Sequence, residues 1–208
     1  MNYHQLTADK ATEGSIRNFV NQNVPVAILI RQAEAFLYRR LRLRDQLTTV
    51  SGTIASGQSS VALPTDYLAA KQIKLTGNNN SVLTRKLPEV LQASISYSSG
   101  NTRTTGTPTA YYTDGSNIVF DLVTNASYTY EMIYFNEPAA LTSSNAENFL
   151  TKRYPRMLLA ATCAFANEYL KDDTEKAYWM QICVAEIDQA MRESDFERQG
   201  TLLTVSTG

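Results

Sequence analysis

Residues 23–44 read NVPVAILIRQAEAFLYRRLRLR, and the fold follows from how this stretch is read. Val26, Leu29/Ile30, Ala33, Phe36/Leu37 and Leu41 recur at helical spacing, which predicts a helix with one apolar face. Asn23 is a candidate cap and Pro25 falls in the first turn, where its missing N–H costs nothing. Arg31, Glu34, Tyr38 and Arg42 are expected on the opposite, solvent face. The segment ends in Arg39, Arg40, Arg42 and Arg44, the densest charge cluster of the chain. Upstream, a weaker helix is predicted over 12–21, with Ile16, Phe19 and Val20 on one side.

Downstream the period changes. Val50, Gly52 and Ile54 alternate with Ser and Thr, Val61 and Leu63 run into Pro64, and Ile73 and Leu75 alternate with Lys. These are strand signals separated by turn residues. Pro88 to Ser96 suits a short helix, and 94–108 reads as a long polar loop. Asp114-Gly115 is a strong hairpin turn. Tyr111-Tyr112, Ile118 to Leu122 and Tyr128 to Tyr134 around it predict a three-stranded antiparallel meander with one aromatic face.

Helical spacing then returns. Ser144 to Glu147 and Asp172 to Glu175 have the pattern of capping boxes, and Pro155 separates a first piece from the next helix. Met157/Leu158, Ala161/Thr162, Phe165 and Tyr169 mark one stripe; Trp179/Met180, Cys183/Val184, Ile187 and Met191 mark another. A gap of about four residues between them predicts an antiparallel helical hairpin.

The fold class is therefore α+β: a helical bundle built from both chain ends, an inserted antiparallel β-rich region, and a C-terminal extended tail. The expected divisions are helices over 1–45, β-rich insertion over 46–144, a helix pair over 145–196 and tail over 197–208.

Composition narrows the function. The chain has 208 residues, a net charge of −1 and 19% charged residues, while Ser, Thr and Asn make up about a quarter of it. Such a balance does not suit a DNA-coating protein. The start, MNYHQLTADK, lacks the apolar core of a secretory signal, and no apolar run approaches membrane-spanning length. The two cysteines, Cys163 and Cys183, supply no disulfide framework and read as small core residues, and synthesis in the cytoplasm is expected. The one histidine, His4, sits in a terminus expected to be mobile, which leaves no Ser-His-Asp or Cys-His site. No phosphate loop, dinucleotide fingerprint or zinc spacing occurs, so no catalytic residue, cofactor or metal ligand is assigned.

Four features remain. The arginines complement a helix C-terminus, and four of them also suit a protein contact. Asp172, Asp173 and Glu175 cap the last helix more simply than they bind a cation. The tyrosine face over 128–134 lacks nearby Lys or Arg and suits packing better than base stacking. Leu202, Leu203 and Val205 alternate with hydroxyl residues in the tail and suit an arm that docks on a neighbour.

These residues together resemble a known family. The order Val24-Pro25, Ile30-Arg31, Glu34, Arg39 to Arg42 resembles the first helical segment of head-to-tail adaptors of tailed phages, mainly short-tailed ones. Leu63-Pro64-Thr65-Asp66-Tyr67 is similar to their strand entry, and Thr107-Pro108 to Tyr111 with Asp114-Gly115 to their hairpin. Tyr134-Phe135, Pro138, Leu141-Thr142, Asn148-Phe149-Leu150 and Tyr154-Pro155 resemble the passage into the last helix pair, and 160–191 resembles that pair. The resemblance covers roughly residues 10–195.

It implies a structural virion protein at the neck between head and tail. Copies would form a ring, typically a dodecamer, below the portal protein. The ring would carry a tail or nozzle protein and leave a channel through which genome DNA passes without sequence-specific binding or contact with a membrane. Arg39, Arg40, Arg42, Arg44, Leu202, Leu203 and Val205 are the candidate portal or subunit contacts. The competing readings are a virion-associated cell-wall hydrolase, using carboxylates such as Glu131 and Glu137, and a ligand-binding domain unrelated to phage.

Overall fold

Both ends of the chain contribute helices, and the middle contributes strands. The computed structural model describes residues 1–8, 14–20, 23–77, 80–95, 97–98 and 102–199. Among them the helices are α1 (Tyr3–Thr7), α2 (Ile16–Val20), α3 (Val26–Arg40), α4 (Pro88–Ser94), α5 (Phe149–Arg153), α6 (Pro155–Leu170) and α7 (Asp173–Gln199). The strands are β1 (Leu47–Ile54), β2 (Ser60–Ala62), β3 (Tyr67–Leu75), β4 (Ser81–Val82), β5 (Thr84–Arg85) and β6 (Tyr97–Ser98), then β7 (Thr102–Arg103), β8 (Thr105–Gly106), β9 (Ala110–Thr113), β10 (Asn117–Phe120), β11 (Val123–Thr124) and β12 (Tyr128–Asn136). The chain divides into a helical unit, Met1–Asp45 with the chain from Pro138 onward, and a β unit, Gln46–Glu137.

In the helical unit α6 is the central element. It packs on α3 and on α7, while α3 and α7 make little direct contact. Ala160, Ala161, Ala164 and Ala166 are all buried on α6, and side chains this small let neighbouring helices approach closely. Leu29, Ile30, Ala33 and Leu37 of α3 and Cys183, Ile187 and Ala190 of α7 close the core. Pro155 occupies the first position of α6. The α6–α7 connection is only Lys171 and Asp172, tighter than the four residues expected. Lys171 adopts a left-handed conformation (φ 60°); its N–H bonds to the Glu168 carbonyl and the Asp172 N–H to the Asn167 carbonyl, which is a Schellman ending. The Asp172 carboxylate then accepts from the Glu175 N–H at 3.0 Å and caps α7.

Several caps differ from expectation. Pro25, not Asn23, is the N-cap of α3, without a side-chain hydrogen bond. Ser144 to Glu147 opens no helix; the capping box sits at Asn148, whose side chain accepts from the Thr151 N–H while Thr151 Oγ1 accepts from the Asn148 N–H. His4 lies in the helical turn α1, and the neighbouring Tyr3 N–H bonds to the Ala146 carbonyl. The start of the chain is thus tied down rather than trailing. At the other end α7 runs through Gln199, three residues into the stretch read as tail, and residues 200–208 lie outside the described ones.

In the β unit the meander is not formed. β9 and β10 make the expected hairpin. Its turn is held by the Asp114 carboxylate, which accepts from the Ser116 and Asn117 N–H groups at 3.1 and 2.7 Å, and by Gly115 at φ 94°. β12, however, leaves for another sheet, with order β1-β12-β3-β4, while the hairpin sits in β2-β10-β9-β5. The sequence pattern is the same for both pairings; β12 has nine residues, long enough to match the full length of β1 (eight residues) and β3 (nine), whereas β10 has four. Ile54, Ile73 and Leu75 from the first sheet and Tyr111, Ile118 and Phe120 from the second share one core. The stretch read as a long polar loop folds back as β6 on β7, and β8 pairs in parallel with β11.

Candidate interaction surface

The arginine cluster separates into three environments. Arg39 and Arg40 project from the last turn of α3 and are exposed. The Arg40 guanidinium lies 3.8 Å from the centre of the Phe36 ring, a cation–π contact that fixes its direction. Arg42 turns back: its Nη1 donates to the Tyr38 and Leu41 carbonyls at 2.9 and 2.6 Å, supplying the open end of α3 with a donor and a positive charge. Arg44 is exposed at the start of a short 3-10 turn, and its backbone N–H bonds to Ser194 Oγ on α7 at 3.1 Å.

Beside Arg39 and Arg40 runs a groove of about 700 Å³ between α3 and α6, with Ile28, Ala35, Phe36, Phe165 and Tyr169 along its walls and Glu168 on its rim. Ile28 is 58% and Tyr169 60% exposed. The groove is mostly apolar with charge at its border, a composition that suits a contact surface. Leu202, Leu203 and Val205 lie outside the described residues.

The sequence reading missed the polar centre of the helical unit. Glu34 is 3% exposed, not on a solvent face. Its carboxylate accepts from the Leu141 N–H at 3.1 and 3.2 Å, from Asn148 Nδ2 at 2.8 Å and from the Tyr38 hydroxyl at 3.2 Å. Asn148 Nδ2 also reaches the Tyr38 hydroxyl at 3.0 Å. Burial pushes the Glu34 carboxyl up from its ordinary 4.5, against the pull of these donors and of the Arg31 charge. Because Asn148 also caps α5, one carboxylate ties α3 to the segment that re-enters the helical unit after the β unit. A signal existed: 34 follows 30, and 38 follows 34, by one turn each, which sets both beside the apolar arc of 26, 30, 33 and 37 rather than opposite it.

The other candidates have structural roles. Tyr130 and Tyr134 are buried in the β-unit core. The Tyr134 hydroxyl donates to Asp66 at 2.9 Å and its ring stacks on Tyr67, which accounts for the Asp-Tyr pair of the 63–67 segment. Glu131 is ion-paired with Lys74 at 2.7 Å, and Glu137 is exposed. Cys163 and Cys183 are fully buried, and burial pushes their thiols up to about 12 and about 11. Among the described residues no group of three His, Cys, Asp or Glu is placed to hold a metal ion, and no helix is long and apolar enough to cross a membrane.

A family model described as SU10 adaptor protein matches residues 1–205, nearly the whole chain. The chain belongs to this family of phage head-to-tail adaptors. The family is structural rather than enzymatic. No curated protein matches the chain.

Proposed function

We propose that copies of this chain form a ring, with the portal protein on one side and a tail or nozzle protein on the other, at the neck of the virion. The ring joins the DNA-filled head to the tail and leaves an axial channel for the genome. Family membership across residues 1–205 carries this reading. The charge balance supports it: a net charge of −1 over 208 residues gives DNA little general attraction to the walls it slides past. Exposed Arg39, Arg40 and Arg44 make contacts to the portal or to neighbouring subunits, Arg42 shapes the helix end that presents them, and Leu202, Leu203 and Val205 extend the contact as an arm. The chain is made in the host cytoplasm and joins the particle there.

Replacing Arg39, Arg40, Arg42 and Arg44 together by Ala tests the contact. Loss of binding to purified portal, with the helical content by circular dichroism unchanged, is the expected result. Undiminished portal binding and self-association in that variant would remove the arginines from the interface.

A further inference from the structure

Two helices of the helical unit carry matching stripes on their outer faces. On α3, Ile28, Gln32, Ala35 and Arg39 are all exposed and point away from the buried side formed by Leu29, Ala33 and Leu37. On α7, Ala177, Gln181, Val184 and Asp188 are all exposed, off the side formed by Cys183, Ile187 and Ala190. Both stripes follow the same four-three-four spacing, and both run apolar, Gln, apolar, charged toward the C-terminus. The final charges are opposite. Among the described residues neither Arg39 nor Asp188 has an ion-pair partner.

We propose that the α3 groove of one copy receives the α7 outer stripe of the next copy, parallel and in register, so that Arg39 meets Asp188 and Gln32 meets Gln181 across the contact. The proposal rests on the assembly reading above and names the surface that builds it. The four-three spacing is that of a left-handed helix seam. Apolar positions then face each other, Ile28 with Ala177 and Ala35 with Val184, and the small alanines let the helices approach. Polar pairs between them fix register, as isolated polar positions do in coiled coils. An antiparallel approach would set Arg39 against Ala177 and Asp188 against Ile28, which wastes both charges. The wider field agrees: the exposed charges of α3 are Arg31, Arg39 and Arg40, whereas α7 exposes Asp173, Glu175, Asp188, Glu193 and Asp195 against Arg192. Because the two surfaces differ, the contact is head-to-tail, the kind that closes into rings.

The test uses the full chain. Gln32→Cys and Gln181→Cys variants are made separately, mixed and gently oxidised; Cys163 and Cys183 are fully buried and stay silent. The mixture is expected to give a disulfide-linked dimer that neither variant gives alone. In sedimentation, Arg39→Asp and Asp188→Arg should each weaken self-association about tenfold or more, and the two together should restore most of it. Rings that form normally with either reversal, or singles that are not rescued by the double variant, overturn the interface while leaving the adaptor reading intact. Capture of Gln32→Cys by a cysteine placed at Leu203 of another copy, but not by Gln181→Cys, gives the groove to the tail and overturns it too. A wild-type chain that neither self-associates nor enters virions fails earlier, at the adaptor reading itself.

Discussion

The helical unit and the β unit solve the same problem, a core that must be unique, by different means. The helical unit fills its centre with Ala, Leu and Cys and places one carboxyl group inside, Glu34, met by donors at Leu141 and Asn148, more than a hundred residues away in sequence. The β unit buries no carboxylate among its described residues; tyrosines fill its core, and their hydroxyls reach its edge, as Tyr134 does to Asp66. A buried carboxyl is costlier to misplace than a neutral hydroxyl. On their surfaces the two units are alike: the β unit pairs Lys74 with Glu131, and the helical unit pairs Arg153 with Asp45, Arg156 with Glu186 and Lys176 with Glu168.

The largest expected effect is at Glu34. Glu34→Ala leaves the Leu141 N–H and the Tyr38 hydroxyl without their acceptor, takes one of two acceptors from Asn148 Nδ2, and should cost about 3–5 kcal/mol, read by urea unfolding. Hydrogen exchange should show the loss in residues 26–40 and 138–170, with the β unit protected as before. Equal loosening of both units would break the comparison. The pH dependence sharpens it. Glu34 has a raised folded pKa, so the fold holds its proton more tightly than the unfolded chain does. Its contribution is fully present below about the ordinary 4.5 and falls away as pH rises through the folded value. Relative to wild type, Glu34→Gln should gain stability over that rise, measured by thermal melts across the window.

Smaller effects are expected from the neutral contact. Tyr134→Phe should cost about 1 kcal/mol at neutral pH. Its hydroxyl is pushed up from 10.0 to about 12 by burial and by Asp66, so the wild type should lose stability between those values and the variant should not lose that share. Lys171→Gly relieves a left-handed residue at the end of α6 and should stabilise the helical unit by about 0.5–1 kcal/mol. Least of all, a thiol reagent at neutral pH should label neither Cys163 nor Cys183 until the helical unit opens; labelling at once would mean that its core is looser than described.

The same physics explains what the sequence disclosed. Long, strongly periodic segments were legible: α3, α6 and α7 announce themselves through stripes, Pro155 and Asp172. The β9–β10 hairpin was legible because Asp114-Gly115 leaves the chain little choice. Partner choice among strands was not, since alternation in Tyr128 to Tyr134 says which face is buried but not which strand lies alongside. Glu34 was misread because a charge suggests solvent, and the donors that satisfy it come from Leu141 and Asn148, which no local pattern connects to α3. The arginines were visible as a cluster, but only the fold separates Arg42, bonded to its own helix end, from outward-facing Arg39 and Arg40.

The central claim is that this chain sits at the junction of head and tail. The direct measurement is to tag it, grow the phage that carries it, and image purified virions with a tag-specific gold label. Gold confined to the neck, with several copies per particle by blotting, is the predicted result. Complete, tailed virions that contain none of the protein would contradict it.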